Sequence, residues 1–210
     1  MQYELVAFDF DGTLADTIAW FETIVDEVCD RYGLQQPDAA ERERLRGCDA
    51  REALKQLNLP IWRLPAVLTY VRTRMAESDN GFDLFPGIRD ALRTLHNNGV
   101  QLAILSSNSE SNVRRVLGSD TANLFQHYAC GTDLFGKAGK MRTLLRRTGI
   151  APQRALLIGD EIRDIEAARS AGVAAAAVTW GYNRAEALRM QAPDLLIERV
   201  EDLSRQLIQN

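Results

Sequence analysis

Apolar residues follow two rhythms along this chain. ELVAFDF at 4–10 is a short, largely apolar run, as expected of a buried strand. Beyond FDFDGTLADT at 8–17 the period changes, with Ile18, Phe21, Val25 and Val28 recurring at steps of three and four. That spacing predicts an amphipathic helix, with Asp16 as its N-cap. Asp-Gly between apolar runs would ordinarily signal a hairpin, but no second alternating strand follows. The Asp-Gly is therefore expected in a strand-to-helix loop. Helical patterning continues to about residue 78, punctuated by Pro37, Gly47, Pro60 and Pro65 and without strand signals. Three to five helices are expected there. DNGFDLFPG at 79–87 reads as the linker out of this segment.

From residue 88 the two rhythms alternate. Helix IRDALRTLHNNG leads to strand QLAIL, and a second helix begins after SSNSES. A short strand around HYACG, the helix KMRTLLRRTG, the strand ALLIGD, the helix IRDIEAARSAG and the strand VAAAAV follow. DLLIE is expected as an edge strand, and a last helix carries Leu203 and Leu207. Such alternation predicts right-handed βαβ units and a parallel sheet covered on both faces. The expected fold is α/β, a doubly wound, Rossmann-like parallel sheet with an inserted all-helical cap. Residues 1–15 and 86–210 would form the core, and residues 16–85 the cap.

Composition narrows the function classes. The 210 residues are 46% hydrophobic and 26% charged, an ordinary globular balance, with a net charge of −4. That charge does not indicate a nucleic-acid or anionic-membrane surface. No apolar run approaches bilayer length, and MQYELVAF lacks a secretory layout, so a cytoplasmic protein is expected. Cys29, Cys48 and Cys130 are scattered, which argues against a disulfide framework or a structural zinc site. With only His96 and His127 present, the chemistry falls to carboxylates.

In open α/β sheets ligands bind beyond the carboxyl ends of the strands. Four polar clusters follow strand candidates here: DFDGT, SSN, GTDLFGK and GDEIRD. They collect Asp9, Asp11, Ser106, Lys137, Asp160 and Asp164 at one sheet edge. Converging carboxylates repel one another. A hard divalent cation relieves that repulsion, and all-oxygen ligation suits Mg²⁺. A carboxylate is also a nucleophile toward phosphorus that needs no deprotonation. Gly12 lets the chain turn so that Asp11 swings back beside Asp9. Ser106 and nearby backbone N–H groups can hold a phosphate oxygen, and Lys137 can supply positive charge.

These motifs, in this order, resemble those of the haloacid dehalogenase-like superfamily, and among its phosphatases the phosphoglycolate phosphatase branch. DFDGT matches the DxDGT motif, LAILSSN the second, Lys137 in FGKAGK the third and GDEIRD the GDxxxD motif. The resemblance implies that Asp9 is the nucleophile, becoming an aspartyl-phosphate, and that Asp11 is the general acid and base. Mg²⁺ would be held by Asp9, Asp160 and the backbone carbonyl of Asp11, with Asp164 acting through water or orienting Lys137. Gly12, Ser106, Ser107 and Lys137 would bind the phosphate.

Lys140, one turn beyond Lys137, is the competing lysine. Glu161 is expected to cap the following helix, a metal contact being the other reading. Arg46 and Arg51, in LRGCDAREAL, could meet an anionic end of the substrate, and Asn108 could touch it. ERERLR at 41–46 is expected to be a solvated helix face, and Trp20, Phe21, Trp62 and Trp180 to be packing residues. The implied partner is a small phosphorylated molecule, bound by a monomer or homodimer. A β-phosphoglucomutase-like mutase and a non-catalytic binding protein on this fold are the alternatives.

Overall fold

The computed structural model describes residues 2–78, 82–131 and 135–209, so parts of two expected loops, residues 79–81 and 132–134, lie outside the described residues. Strands β1 (Leu5–Phe8), β2 (Gln101–Leu105), β3 (Phe125–Ala129), β4 (Ala155–Gly159), β5 (Ala174–Val178) and β6 (Leu195–Ile197) form one sheet. Its order is β3-β2-β1-β4-β5-β6, with every neighbouring pair parallel. DLLIE thus lies at an edge, as expected. The chain leaves β1 in one direction and returns on its other side at β4, so the strand order reverses there.

Alternation within the strands builds two cores. Val6, Phe8, Leu102, Ile104, Leu156 and Ile158 face α5 (Ile88–Asn97) and α10 (Asp202–Gln209), meeting Leu92, Leu95, Leu203 and Leu207. Leu5, Ala7, Ala103, Leu105 and Leu157 face α7 (Lys137–Thr148), α8 (Ile162–Ala171) and α9 (Ala185–Met190), meeting Met141, Ile165 and Leu188. Burial on both faces explains why β1 reads as an unbroken apolar run. Helix α6 (Glu110–Ala122) joins β2 to β3.

Among the described residues the regular elements between β1 and α5 are all helical: α1 (Ile18–Tyr32), α2 (Ala39–Leu45), α3 (Ala50–Gln56) and α4 (Leu64–Glu77), with a 3-10 turn at Ile61–Arg63. They close on their own cluster of Trp20, Ile24, Val28, Leu54, Leu64, Val67 and Met75. The buried stripe of α1 is Trp20–Ile24–Val28 rather than the predicted Ile18–Phe21–Val25–Val28, and Phe21 is 39% exposed. Periodicity gave the helix but not its phase, which Trp20 sets by packing edge-on against Phe82 at 5.5 Å. Trp62 also departs from the packing role. It is 74% exposed, with the Arg63 guanidinium over its ring. In ERERLR the basic side chains pair with acids at the surface, Arg42 with Asp26 and Arg44 with Glu41, and Leu45 is buried.

Asp16 does not cap α1; Thr17 occupies that position without a side-chain hydrogen bond. The Asp16 N–H instead donates to Asp83 O, and Phe85 N–H donates to Leu14 O. The chain therefore leaves the sheet and returns to it along one double-stranded neck. Among the described residues no helix is long and apolar enough to cross a membrane.

Candidate active site

Asp9 is the first residue past β1, and its N–H still extends the ladder to Ile158 O at 2.8 Å. Phe10 turns into the core, while Leu14 and Ala15 N–H both donate to Phe10 O. The tight loop this makes needs Gly12 at φ 76°. A Cβ on Gly12 would also strike the Asp160 carboxylate. The loop thus brings Asp11 back to the same strand end as Asp9, and glycine there admits the acid that follows β4.

Asp160, 1% exposed, is fixed by neutral donors: Thr13 Oγ1 at 2.7 Å and Tyr182 N–H at 2.8 Å. Asp164 lies in the first turn of α8, where its Oδ2 accepts the Glu161 N–H at 3.2 Å. A Cβ on Gly159 would occupy the space of the Asp164 side chain. Lys137 opens α7 fully buried, with Nζ 2.6 Å from Asp9 Oδ2 and donating to Asp164. Lys140 is exposed, so Lys137 is the lysine the fold brings to the carboxylates. From β2, buried Ser106 lies 3.5 Å from Asp11 Oδ2, and its Oγ accepts the Asn108 N–H at 3.0 Å. The Asn108 amide donates to both Asp11 oxygens, at 3.1 and 3.3 Å.

One oxygen from each of Asp9, Asp160 and Asp164 lies within 4.8 Å of the others, all three residues buried. Burial pushes the Asp9 carboxyl up, although Lys137 opposes it. Burial and the neighbouring Glu161 push Asp160 well up. Asp11 is raised to about 7, first by burial and then by the charge of Asp9, against its bonds from Asn108. Lys137 resists its own burial because Asp164 and Asp9 flank it, and its pKa rises. Hard oxygen donors, clustered beyond what one ammonium neutralises, suit a small divalent cation.

The remaining expected residues are placed less centrally. Ser107 is partly exposed on the turn after Ser106. Arg46, in the α2–α3 loop, donates through Nε to Tyr182 O at 2.9 Å and through Nη2 to Gly181 O at 3.2 Å. Arg51 lies over the Phe135 ring. Glu161 is the N-cap of α8, as expected, in a capping box with Asp164, and its carboxylate also meets Arg163 at 2.5 Å.

Sequence reading passed over Thr13, Arg163, Tyr182 and Asn183. Arg163 was visible inside GDEIRD. Asn183 carried no local signal, because its partners are remote in sequence. Its Oδ1 accepts the Ile162 N–H, and its Nδ2 donates to Arg46 O and Cys48 O at 2.8 and 3.0 Å.

Comparison with known proteins gives a consistent result. The family model described as haloacid dehalogenase-like hydrolase matches residues 6–178. A phosphoglycolate phosphatase of Synechococcus elongatus is 33% identical over 207 residues, covering 98% of each chain. Phosphoglycolate phosphatase 1 of Pseudomonas aeruginosa is 28% identical over 95% of this chain and 78% of its own. Among solved structures, a haloacid dehalogenase-like family hydrolase of Streptococcus pneumoniae superposes with a TM-score of 0.72 at 21% identity. It covers 98% of both chains and shows the shared fold.

Proposed function

Because the chain belongs to the haloacid dehalogenase-like hydrolase family, we propose that it is a Mg²⁺-dependent phosphatase of a small phosphomonoester, phosphoglycolate or a close analogue. The observation that carries this reading is the pairing at one strand end of a lysine-flanked carboxylate, Asp9, with a second acid, Asp11, whose pKa is raised to about 7. The two acids can divide nucleophilic and proton-transfer roles.

In this reading Asp9 attacks phosphorus and the P–O bond to the leaving group breaks, forming an aspartyl-phosphate. Asp11 gives its proton to the departing oxygen. As a carboxylate it then takes a proton from the water that attacks the aspartyl-phosphate, releasing inorganic phosphate and restoring Asp9. Ser106, the Ser107 N–H and Lys137 receive the phosphoryl oxygens, whereas the expected Gly12 N–H is already engaged by Ala15 O at 2.9 Å and serves the loop instead. The side chains of Asp9, Asp160 and Asp164 and the backbone carbonyl of Asp11 would hold Mg²⁺. Bound there, the ion supplies the positive charge that lets an anionic nucleophile face an anionic phosphoryl group.

The named phosphatase activity of the Synechococcus and Pseudomonas relatives supports the substrate class. The mutase alternative is less well supported, since its motif carries glutamate where Gly159 stands and Asp164 fills that space.

Phosphate release from a panel of phosphorylated metabolites, including 2-phosphoglycolate, in Mg²⁺ or EDTA, tests the reading. Release that depends on Mg²⁺ and drops by roughly 10³-fold or more in Asp9→Asn is expected, as when a nucleophile is removed. Absence of release from every compound would overturn it.

A further inference from the structure

Arg163 sits against two local preferences. It lies in the first turn of α8, where aligned backbone dipoles disfavour a cation. Its side chain is only 8% exposed, although a guanidinium loses strong hydration on burial. Among the described residues, Lys137 and Arg163 are the only buried basic side chains, and both face the same oxygen. Lys137 Nζ lies 2.6 Å from Asp9 Oδ2, and Arg163 Nη2 lies 3.9 Å from it. Arg163 is braced by Glu161 Oε1 at 2.5 Å.

A structural pair with Glu161 alone would not require this burial, because the Glu161 side chain is 20% exposed and can hydrate. The Arg163 guanidinium is nevertheless withdrawn from water and lies within 3.9 Å of Asp9 Oδ2. Residues that break the preference of their own element are expected where function demands it.

We propose that Arg163, braced by Glu161, is a positioning residue for the nucleophile. It holds the Asp9 carboxylate from the side opposite its Phe10 N–H bond, which fixes Oδ1 at 2.7 Å. Together with Lys137 it offsets the negative charge that accumulates when a phosphoryl group approaches. At 3.9 Å the guanidinium acts through its field rather than as a hydrogen-bond donor. Its removal therefore slows the chemistry more than it weakens substrate binding. The proposal rests on the phosphatase reading above.

The test compares wild type with Arg163→Gln, Arg163→Lys, Glu161→Gln and the Arg163→Gln/Glu161→Gln double variant. Two measurements are made in Mg²⁺: kcat and KM for phosphate release, and the rise in Tm on adding beryllium trifluoride, a mimic of a phosphoryl group on a carboxylate. Arg163→Gln is expected to lower kcat by about 10- to 100-fold with KM within about 3-fold, short of the 10²–10³-fold seen for a direct transition-state donor. It should also shrink the beryllium trifluoride shift, and Arg163→Lys should recover part of both. Should Arg163→Gln fold poorly, Glu161→Gln decides, since loosening the brace should lower kcat at unchanged KM and an unchanged kcat overturns the proposal.

Arg163→Gln with wild-type kcat and full shift also overturns it. Restoration of wild-type kcat in the double variant does the same, because Arg163 would then serve only to neutralise Glu161. A wild-type protein with neither phosphate release nor a shift, matching Asp9→Asn, overturns the phosphatase reading and this proposal with it.

Discussion

Gly12 shows how much a single residue position decides. Its φ of 76° and the proximity of Asp160 both exclude a side chain. Gly12→Ala should therefore meet about 1–2 kcal/mol of left-handed strain and displace Asp160. Calorimetry should show Tm lowered by about 2–8 °C, given roughly 2–4 °C per kcal/mol for a chain of this size. Phosphate release should fall with it.

Asp11 carries a prediction of opposite sign to that of an ordinary salt-bridged acid. Its native pKa, raised to about 7, lies above the unfolded value of roughly 3.9. Between those pH values the native state holds a proton the unfolded state has lost, so this group's contribution to stability falls as pH rises. In EDTA, the Tm of wild type relative to Asp11→Asn should decline from pH 5 to pH 8. A constant difference would contradict the raised pKa. At this scale the sequence exposed Asp9, Asp11, Lys137, Asp160 and Asp164 through their motifs. It could not expose Asn183, whose partners Arg46 and Cys48 are more than a hundred residues away.

Among the elements, the α2–α3 loop is joined to the sheet edge mainly by residues 181–184. Asn183 bridges Arg46 O and Cys48 O to the first N–H of α8, and Arg184 pairs with Glu43 at 2.8 Å. Asn183→Ala removes both amide bonds to the loop and leaves the Ile162 N–H without its partner, a loss of about 1–3 kcal/mol. Faster hydrogen exchange over residues 46–49 and a raised KM should follow, with a smaller change in kcat. Normal exchange there would show that the loop docks by other contacts.

At the far end of the helical segment, Asn112 donates to Arg72 O and Arg115 to Met75 O, so α4 is tied to α6 as well. Periodicity gave the helical character of this segment and its first helix, but not the face α1 buries. Ile18–Phe21–Val25–Val28 and Trp20–Ile24–Val28 both repeat at helical spacing, and the choice was made by Phe82, which reaches α1 from the exit linker.

For the molecule as a whole, Asp9, Asp160 and Asp164 gather three buried carboxylates around one lysine, and the proposed Mg²⁺ would relieve their mutual repulsion. Any ion that binds only the native state stabilises it, by about 2.7 kcal/mol at a hundredfold excess over Kd. Mg²⁺ should accordingly raise Tm by about 5–11 °C relative to EDTA, using the same size-based conversion. Asp160→Asn should remove most of that rise, whereas a wild-type Tm indifferent to Mg²⁺ would contradict the assignment of this cluster to a metal.

The sequence by itself determined the alternation of strands and helices, the all-helical segment after β1 and the motif residues at the strand ends, because period and motif spacing are local properties of a chain. The tertiary structure alone decided the phase of α1, the exposure of Trp62, the pairing of Asp16 with the returning linker, and the placing of Arg163 and Asn183. Those depend on which surfaces meet, and a surface becomes a partner only after the sheet has brought distant segments together.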